Sequence, residues 1–138
     1  MEYLRGRLLD HVHLRVADLD ASRRFYAAVL EALGRALQSQ DDAHFSSDEL
    51  WVDAAGEDPV SHVHLAFQAA DKGAVARFHA AGLAAGGRDH GGPGERSYHP
   101  GYYAAFLLDP DGNNVEAVWH GPASRNVDAV IFTPEAPQ

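Results

Sequence analysis

The sequence predicts an α+β fold built from two βαβββ modules, and three observations carry that expectation. The first is an internal repeat. Residues 11–35, HVHLRVADLDASRRFYAAVLEALGR, fall on residues 64–88, HLAFQAADKGAVARFHAAGLAAGGR, at an offset of 53, with twelve of twenty-five positions identical and no gap. Residue frequencies alone give about two identities. Five are Ala pairs; the weight rests on His11/His64, Asp18/Asp71, Arg24/Arg77, Phe25/Phe78, Leu30/Leu83, Gly34/Gly87 and Arg35/Arg88. The second observation is that each copy passes from a two-residue apolar period to a helical one. The third is length: 138 residues form one domain able to bury roughly two-thirds of its unfolded surface.

In chain order, Leu9, His11, His13 and Arg15 share one face of an opening strand, with Val12, Leu14 and Val16 on the other. Asp18 or Asp20 then caps a helix that runs through Phe25, Val29 and Ala32 beside Tyr26, Leu30 and Leu33, and ends at Gly34. Three short strands are expected near residues 36–39, 43–46 and 49–54. The second module opens with a strand from His62 to Phe67, and Asp71, Val75, Phe78, Leu83 and Gly86 repeat the capped helix. Residues 86–100, rich in Gly and Pro, read as a loop at the sheet rim. A strand from Tyr102 to Leu108, the tight turn DPDGNN and a returning strand from Val115 to Trp119 close the module. The expected organisation is one domain over residues 1–120, with modules at about 8–54 and 62–120, followed by a tail at 121–138 that carries one extra strand, Val127 to Phe132.

Composition removes several function classes. A net charge of −9 repels phosphate backbones and anionic lipid, so nucleic acid and membrane surfaces are not expected partners. No apolar run reaches the ~18 residues needed to span a bilayer. Nothing in Met1–Leu9 reads as a secretory signal, and the cytoplasm is the expected address. With no cysteine, thiol nucleophiles and thiolate metal sites are excluded, and any ion must be held by His, Asp or Glu.

Four of the nine histidines form two HxH pairs, His11/His13 and His62/His64, each in the opening strand of a repeat. Residues two apart in a strand point the same way, so each pair offers two imidazoles to one sheet face. The repeat register makes His11 and His64 equivalent, and these are the candidate metal ligands. Glu116, in NNVEAV, is a carboxylate inside a strongly apolar strand, a costly placement unless something pairs with it. It is the candidate third ligand, with Arg15 or Arg96 as alternative partners. Two imidazoles and a carboxylate suit Zn, Ni, Mn or Fe(II). Tyr98, His99, Tyr102 and Tyr103 cluster near Arg96 as a substrate rim or as edge packing. His44, His79, His90 and His120 read as structural or exposed, and DPDGNN as a turn without catalytic residues.

The segments LLDHVHLRVADLDASRRFYAAVLEALG, HVHLAF, PGERSYHPGYY and AFLLDPDGNNVEAVWH, over roughly residues 8–120, resemble the glyoxalase/bleomycin-resistance/dioxygenase group, the vicinal-oxygen-chelate proteins. The resemblance implies paired βαβββ modules forming a curved mixed sheet around a metal or ligand cavity, commonly in a homodimer. It carries the metal ligands onto His11, His64 and Glu116. The fourth, carboxylate ligand of glyoxalase I has no clear counterpart, because the corresponding strand centres on Leu50, Trp51 and Val52, flanked by Glu49 and Asp53. The fosfomycin-resistance thiol transferases share the three-ligand pattern, and Arg96 and Arg125 fall near their phosphonate-holding cations, but His13 stands where they carry Thr.

The implied function is a divalent-metal lyase, isomerase or thiol transferase that stabilises an enolate or alkoxide on a small oxygen-bearing substrate. His13 would do general acid/base work, with Arg96, Tyr98, His99 and Tyr102 binding the substrate. The competing readings are a protein that sequesters a small molecule or antibiotic without turnover, and a purely structural dimer module.

Overall fold

The two repeats fold alike, each to a four-stranded mixed sheet with one helix. The computed structural model describes residues 3–5, 7–126 and 130–132. The elements run β1 (Tyr3–Arg5), β2 (Val12–Val16), α1 (Leu19–Ala32), β3 (Ser39–Gln40), β4 (His44–Ser47), β5 (Leu50–Ala54), β6 (His64–Gln68), α2 (Lys72–Ala84), β7 (Arg88–Glu95), β8 (Tyr103–Leu108), β9 (Asn114–Trp119) and β10 (Val130–Phe132). The helix carries the chain from the first strand to the far edge of its sheet, and two short antiparallel connections bring it back to lie parallel to the start. The strand orders are accordingly β2-β5-β4-β3 and β6-β9-β8-β7, with β2 parallel to β5 and β6 parallel to β9. β1 and β10 form a separate antiparallel ribbon. Among the described residues the modules keep two sheets and close no barrel.

The helices start where the repeat places them: Asp18 and Asp71 accept from the Ala21 and Ala74 amides as N-caps. Leu14, Val16, Phe45 and Val52 of the first sheet meet Phe25, Tyr26 and Val29 of α1, and the same core takes in Val75, Phe78, Leu107, Val115 and Ala117. Gly82 stands at the repeat position of Val29. A Cβ there would lie 2.2 Å from Leu107 Cδ1 and 3.0 Å from Val29 Cγ1, so its missing side chain is what lets α1 and α2 touch. The DPDGNN turn does more than reverse the chain. Asp109 is 1% exposed and accepts from the Tyr26 hydroxyl at 2.6 Å, from the Asp111 and Asn113 amides, and from Asn113 Nδ2. Asn113 Oδ1 accepts from the Val63 amide at 2.8 Å, and Asp111 from the Ala17 amide at 3.3 Å. The turn therefore fastens the second module to α1 and to the start of β6.

One expectation is corrected. Residues 86–100 are not simply a loop: they contain β7, with register shifts between Asp89, Gly91 and Gly94. An edge strand with bulges tolerates Gly and Pro that a central strand would not. The extra tail strand is present as Val130–Phe132, and its expected first residues, 127–129, lie outside the described residues. No described helix is long and apolar enough to cross a membrane.

Candidate functional site

Two-residue alternation leaves each sheet with one face on the helical core and one open face. In the second module the register sets Ala66, Glu116 and Phe106 side by side across β6, β9 and β8. Glu116 belongs to the open face, yet it is 2% exposed. Burying a carboxylate is costly unless it is paired. Its partners are His64, whose Nε2 lies 2.8 Å from Oε1, and Tyr102, whose hydroxyl donates to Oε2. Ala104, Phe106, Val118 and Tyr102 form a small apolar cluster around it. Desolvation, and then the bond and charge of Glu116, push the Tyr102 phenol up to about 12, so it remains a donor at neutral pH.

The rim expected from the sequence surrounds this pair. Tyr98 and His99 meet the Tyr102 ring edge-on at 4.9 and 5.3 Å. Arg96 donates to the Gly92 and Glu95 carbonyls and lies over the Phe106 ring at 5.3 Å. His120, expected only as structural or exposed, joins the rim: it stacks on His99, with His120 Nδ1 and His99 Nε2 at 2.9 Å. His99 Nδ1 is 2.8 Å from the Pro100 carbonyl, which can only accept. The proton of His99 is therefore on Nδ1, and His120 donates to its Nε2. Neither Arg15 nor Arg96 is the partner of Glu116.

The first module presents different chemistry. His11 lies just before β2, exposed, with Nδ1 2.7 Å from Asp10 Oδ1. Among the described residues no three His, Asp or Glu side chains converge closely enough to hold an ion. The chain thus brings His64 and Glu116 together, and among the described residues His11 does not complete a three-ligand group with them. His13 is on the open face with Nε2 2.7 Å from Asp53 Oδ1, and the Trp51 indole donates to Asp53 Oδ2 at 3.4 Å. His13 pairs across the ladder with Trp51 as its repeat equivalent Ala66 pairs with Glu116. Trp51 therefore stands in the first module where Glu116 stands in the second. Asp53, considered from the sequence only as a substitute ligand, is the partner of His13; two-residue spacing from Trp51 on β5 was the signal that put it on this face.

His64 and Glu116 are donors of the kind a first-row divalent ion takes, a neutral imidazole and a carboxylate, so they fit such an ion in chemistry, and among the described residues of one chain they lack a third ligand beside them. The candidate residues sit on sheet faces. An apolar groove of about 310 Å³ lies elsewhere, between Leu9, Val12, Leu30 and Leu50 of one module and Leu65 and Phe67 of the other, and neither His64 nor Glu116 lines it.

A duplicated βαβββ topology, with a buried Glu paired to an exposed His on the helix-free face of one sheet, defines a two-module α+β scaffold. The chain belongs to the Glyoxalase/Bleomycin resistance protein/Dioxygenase superfamily, whose family model matches residues 8–117. It is similar to the crystal structure of a glyoxalase/bleomycin resistance protein from Albidiferax ferrireducens T118, with 32% identity and a TM-score of 0.71 over 81% of this chain and 98% of that one. A lactoylglutathione lyase from Agrobacterium tumefaciens shares the fold at 21% identity and a TM-score of 0.60, covering 81% of this chain and 92% of the other. A glyoxalase-related enzyme from Fulvimarina pelagi does so at 20% and 0.63, covering 81% and 87%. No curated protein matches the chain.

Proposed function

We propose that the protein is a divalent-metal-dependent enzyme of glyoxalase type, active as a homodimer on a small oxygen-bearing substrate, in which His64 and Glu116 of one copy and His11 of a second copy hold the ion. The observation that carries this reading is a carboxylate 2% exposed on the helix-free face of its sheet and bonded, among the described residues, to one imidazole and one phenol. A third donor from another copy is supported by the exposed His11 and by β2 and β6 lying at sheet edges, where backbone groups stay open to pairing. A bound Zn, Ni, Mn or Fe ion supplies Lewis-acid stabilisation of an enolate or alkoxide.

The remaining chemistry falls to the chain's own side chains. Asp53 accepts from His13 Nε2, which leaves Nδ1 as the atom that takes and returns a substrate proton. Trp51 supports Asp53 from the other side. Tyr102 keeps its proton and holds Glu116 in place, while Arg96, Tyr98 and His99 bind the substrate from the rim, Arg96 favouring an anionic group. The aromatic surfaces of Trp51 and Tyr98, 39% and 70% exposed, also support the second reading, capture of a small molecule without turnover.

The deciding experiment is metal analysis of protein purified without chelator, for wild type, His11→Ala, Glu116→Ala, and an equimolar mixture of the two variants after dissociation and reassociation. Each variant alone is expected to lose its metal, and the mixture to regain part of it, because a mixed dimer holds one intact site. Metal retained by both variants refutes the ligand set. A mixture that regains none refutes the shared site.

A further inference from the structure

The β3–β4 hairpin carries a second ordered set of polar groups that the metal reading does not use. Asp41 Oδ1 accepts from the Ala43 and His44 amides at 2.8 and 2.9 Å and lies 2.7 Å from His44 Nδ1. His44 Nε2 in turn lies 2.9 Å from Ser39 Oγ. The imidazole is held flat against the Trp51 indole, ring centroids 4.2 Å apart and planes 7° from parallel. The Ala43 amide, and then His44, hold the Asp41 carboxyl below the usual carboxylate range, so at neutral pH it is an anion and only accepts. His44 must therefore carry its proton on Nδ1 and turn the Nε2 lone pair to Ser39, whose hydroxyl donates. An acid orients an imidazole, and the imidazole faces a hydroxyl: these are the roles that activate a serine nucleophile wherever they occur. Register places Ser39 beside Ser46, and Ser46 beside Trp51, in the row that ends at His13, so the hydroxyl sits on the open face of the first module.

We propose that Ser39, His44 and Asp41 form an acyl-transfer site that hydrolyses small activated carboxylic esters. Ser39 Oγ bonds to the ester carbonyl carbon as its proton passes to His44 Nε2. The bond from that carbon to the alcohol oxygen breaks, and the alcohol leaves with the proton. Water, giving a proton to His44, then attacks the acyl-serine, releasing the acid and restoring the hydroxyl. No metal enters either half, so the activity stands or falls separately from the His64/Glu116 reading.

The test is incubation of the full chain with p-nitrophenyl acetate in the presence of EDTA, following nitrophenolate release and locating the acetyl group by peptide mass spectrometry. The expected result is acetylation at Ser39, abolished in Ser39→Ala, with release lowered roughly 100-fold there and in Asp41→Asn. Asp41→Asn keeps the hydroxyl and impairs only the orientation of His44, so acetylation of Ser39 should slow without moving to another residue. A purely structural hairpin network predicts that both variants shift the melting temperature alone. Wild-type protein without acetyl on Ser39, or release unchanged in Ser39→Ala, overturns the proposal.

Discussion

The two modules share a backbone plan and differ in what their open faces carry. At repeat-equivalent positions facing the core they agree: Phe25 and Phe78 are both fully buried, and Asp18 and Asp71 both cap a helix. On the open faces the equivalents part company, His13 against Ala66 and Trp51 against Glu116. A core position is limited by the shape of its neighbours, whereas an open-face position is limited only by whether its polar atoms find partners. The same scaffold thus holds a His–Asp pair beside an exposed indole in one half and a buried Glu joined to a half-exposed His and a tyrosine in the other.

The agreement inside the core is itself incomplete, and its exception gives the largest expected effect. Val29 and Gly82 are equivalent in the repeat but complementary in packing, since α1 fills the space that α2 leaves. Restoring the symmetry with Gly82→Val drives new atoms into Leu107 and should destabilise the protein by about 3 kcal/mol, measured by urea unfolding. The opposite change, Val29→Ala, opens a cavity and should cost about 2 kcal/mol. A Gly82→Val protein as stable as wild type would mean that the helices are not in closest contact at this point.

The turns between the last two strands of each module form the next contrast. Asp109 reaches across to Tyr26, whereas the Asp48 partners in the β4–β5 turn include Gln38 Nε2 at 2.7 Å and Arg35 at 3.2 Å, both in its own module. Asp109→Ala leaves several buried donors without an acceptor and should cost about 3 kcal/mol, while Tyr26→Phe, which removes one hydroxyl, should cost about 1. Asp48 has a φ of 46°, so Asp48→Gly relieves backbone strain as it gives up side-chain bonds and should cost less than Asp109→Ala. Comparable losses at Asp48 and Asp109 would remove the distinction between a local turn and one that ties the modules.

Much of this architecture could be read from the chain, and what could not has identifiable physical causes. The repeat, both N-caps and the strands beginning near residues 44, 50, 64 and 103 follow from periodicity and capping chemistry, which are local. Glu116 was recognisable as a group in need of partners because an acid in an apolar strand violates burial, and Tyr98, His99 and Tyr102 fall close enough in sequence to form one rim. Spacing, however, fixes which face a side chain takes and not how two sheets stand to one another, so it could offer His11 and His64 as equivalent ligands without fixing whether a third group meets them, and among the described residues no three such groups converge. β7 was hidden because a bulged edge strand accepts the Gly and Pro that elsewhere mark a loop. Asp109 looked like any turn aspartate; its burial depends on Tyr26, 83 residues away. Ser39, Asp41 and His44 meet only through hairpin register, which composition does not reveal.

The smallest contrast concerns two exposed carboxylates, one per module, that bind their protons less tightly than usual for different reasons. Asp41 is held low first by the Ala43 amide and only then by His44, whereas Asp89 is held low first by the hydrogen bond from His79 and then by the Gly91 amide. A carboxyl whose folded pKa is depressed contributes stability that is present above its unfolded value of about 3.9 and lost as pH falls through the folded value. Asp41→Asn and Asp89→Asn should therefore lower the melting temperature slightly at pH 6, and the difference from wild type should shrink as pH falls through the folded values. Carbon-detected NMR titration separates the causes. In His79→Ala the Asp89 pKa should move most of the way back to the ordinary value, because its main support is gone. In His44→Ala the Asp41 pKa should stay low, because a backbone amide is not removed by changing a side chain. Equal recovery at both sites would show that the imidazole, not the backbone, sets the charge of each aspartate, and would erase this difference between the two modules.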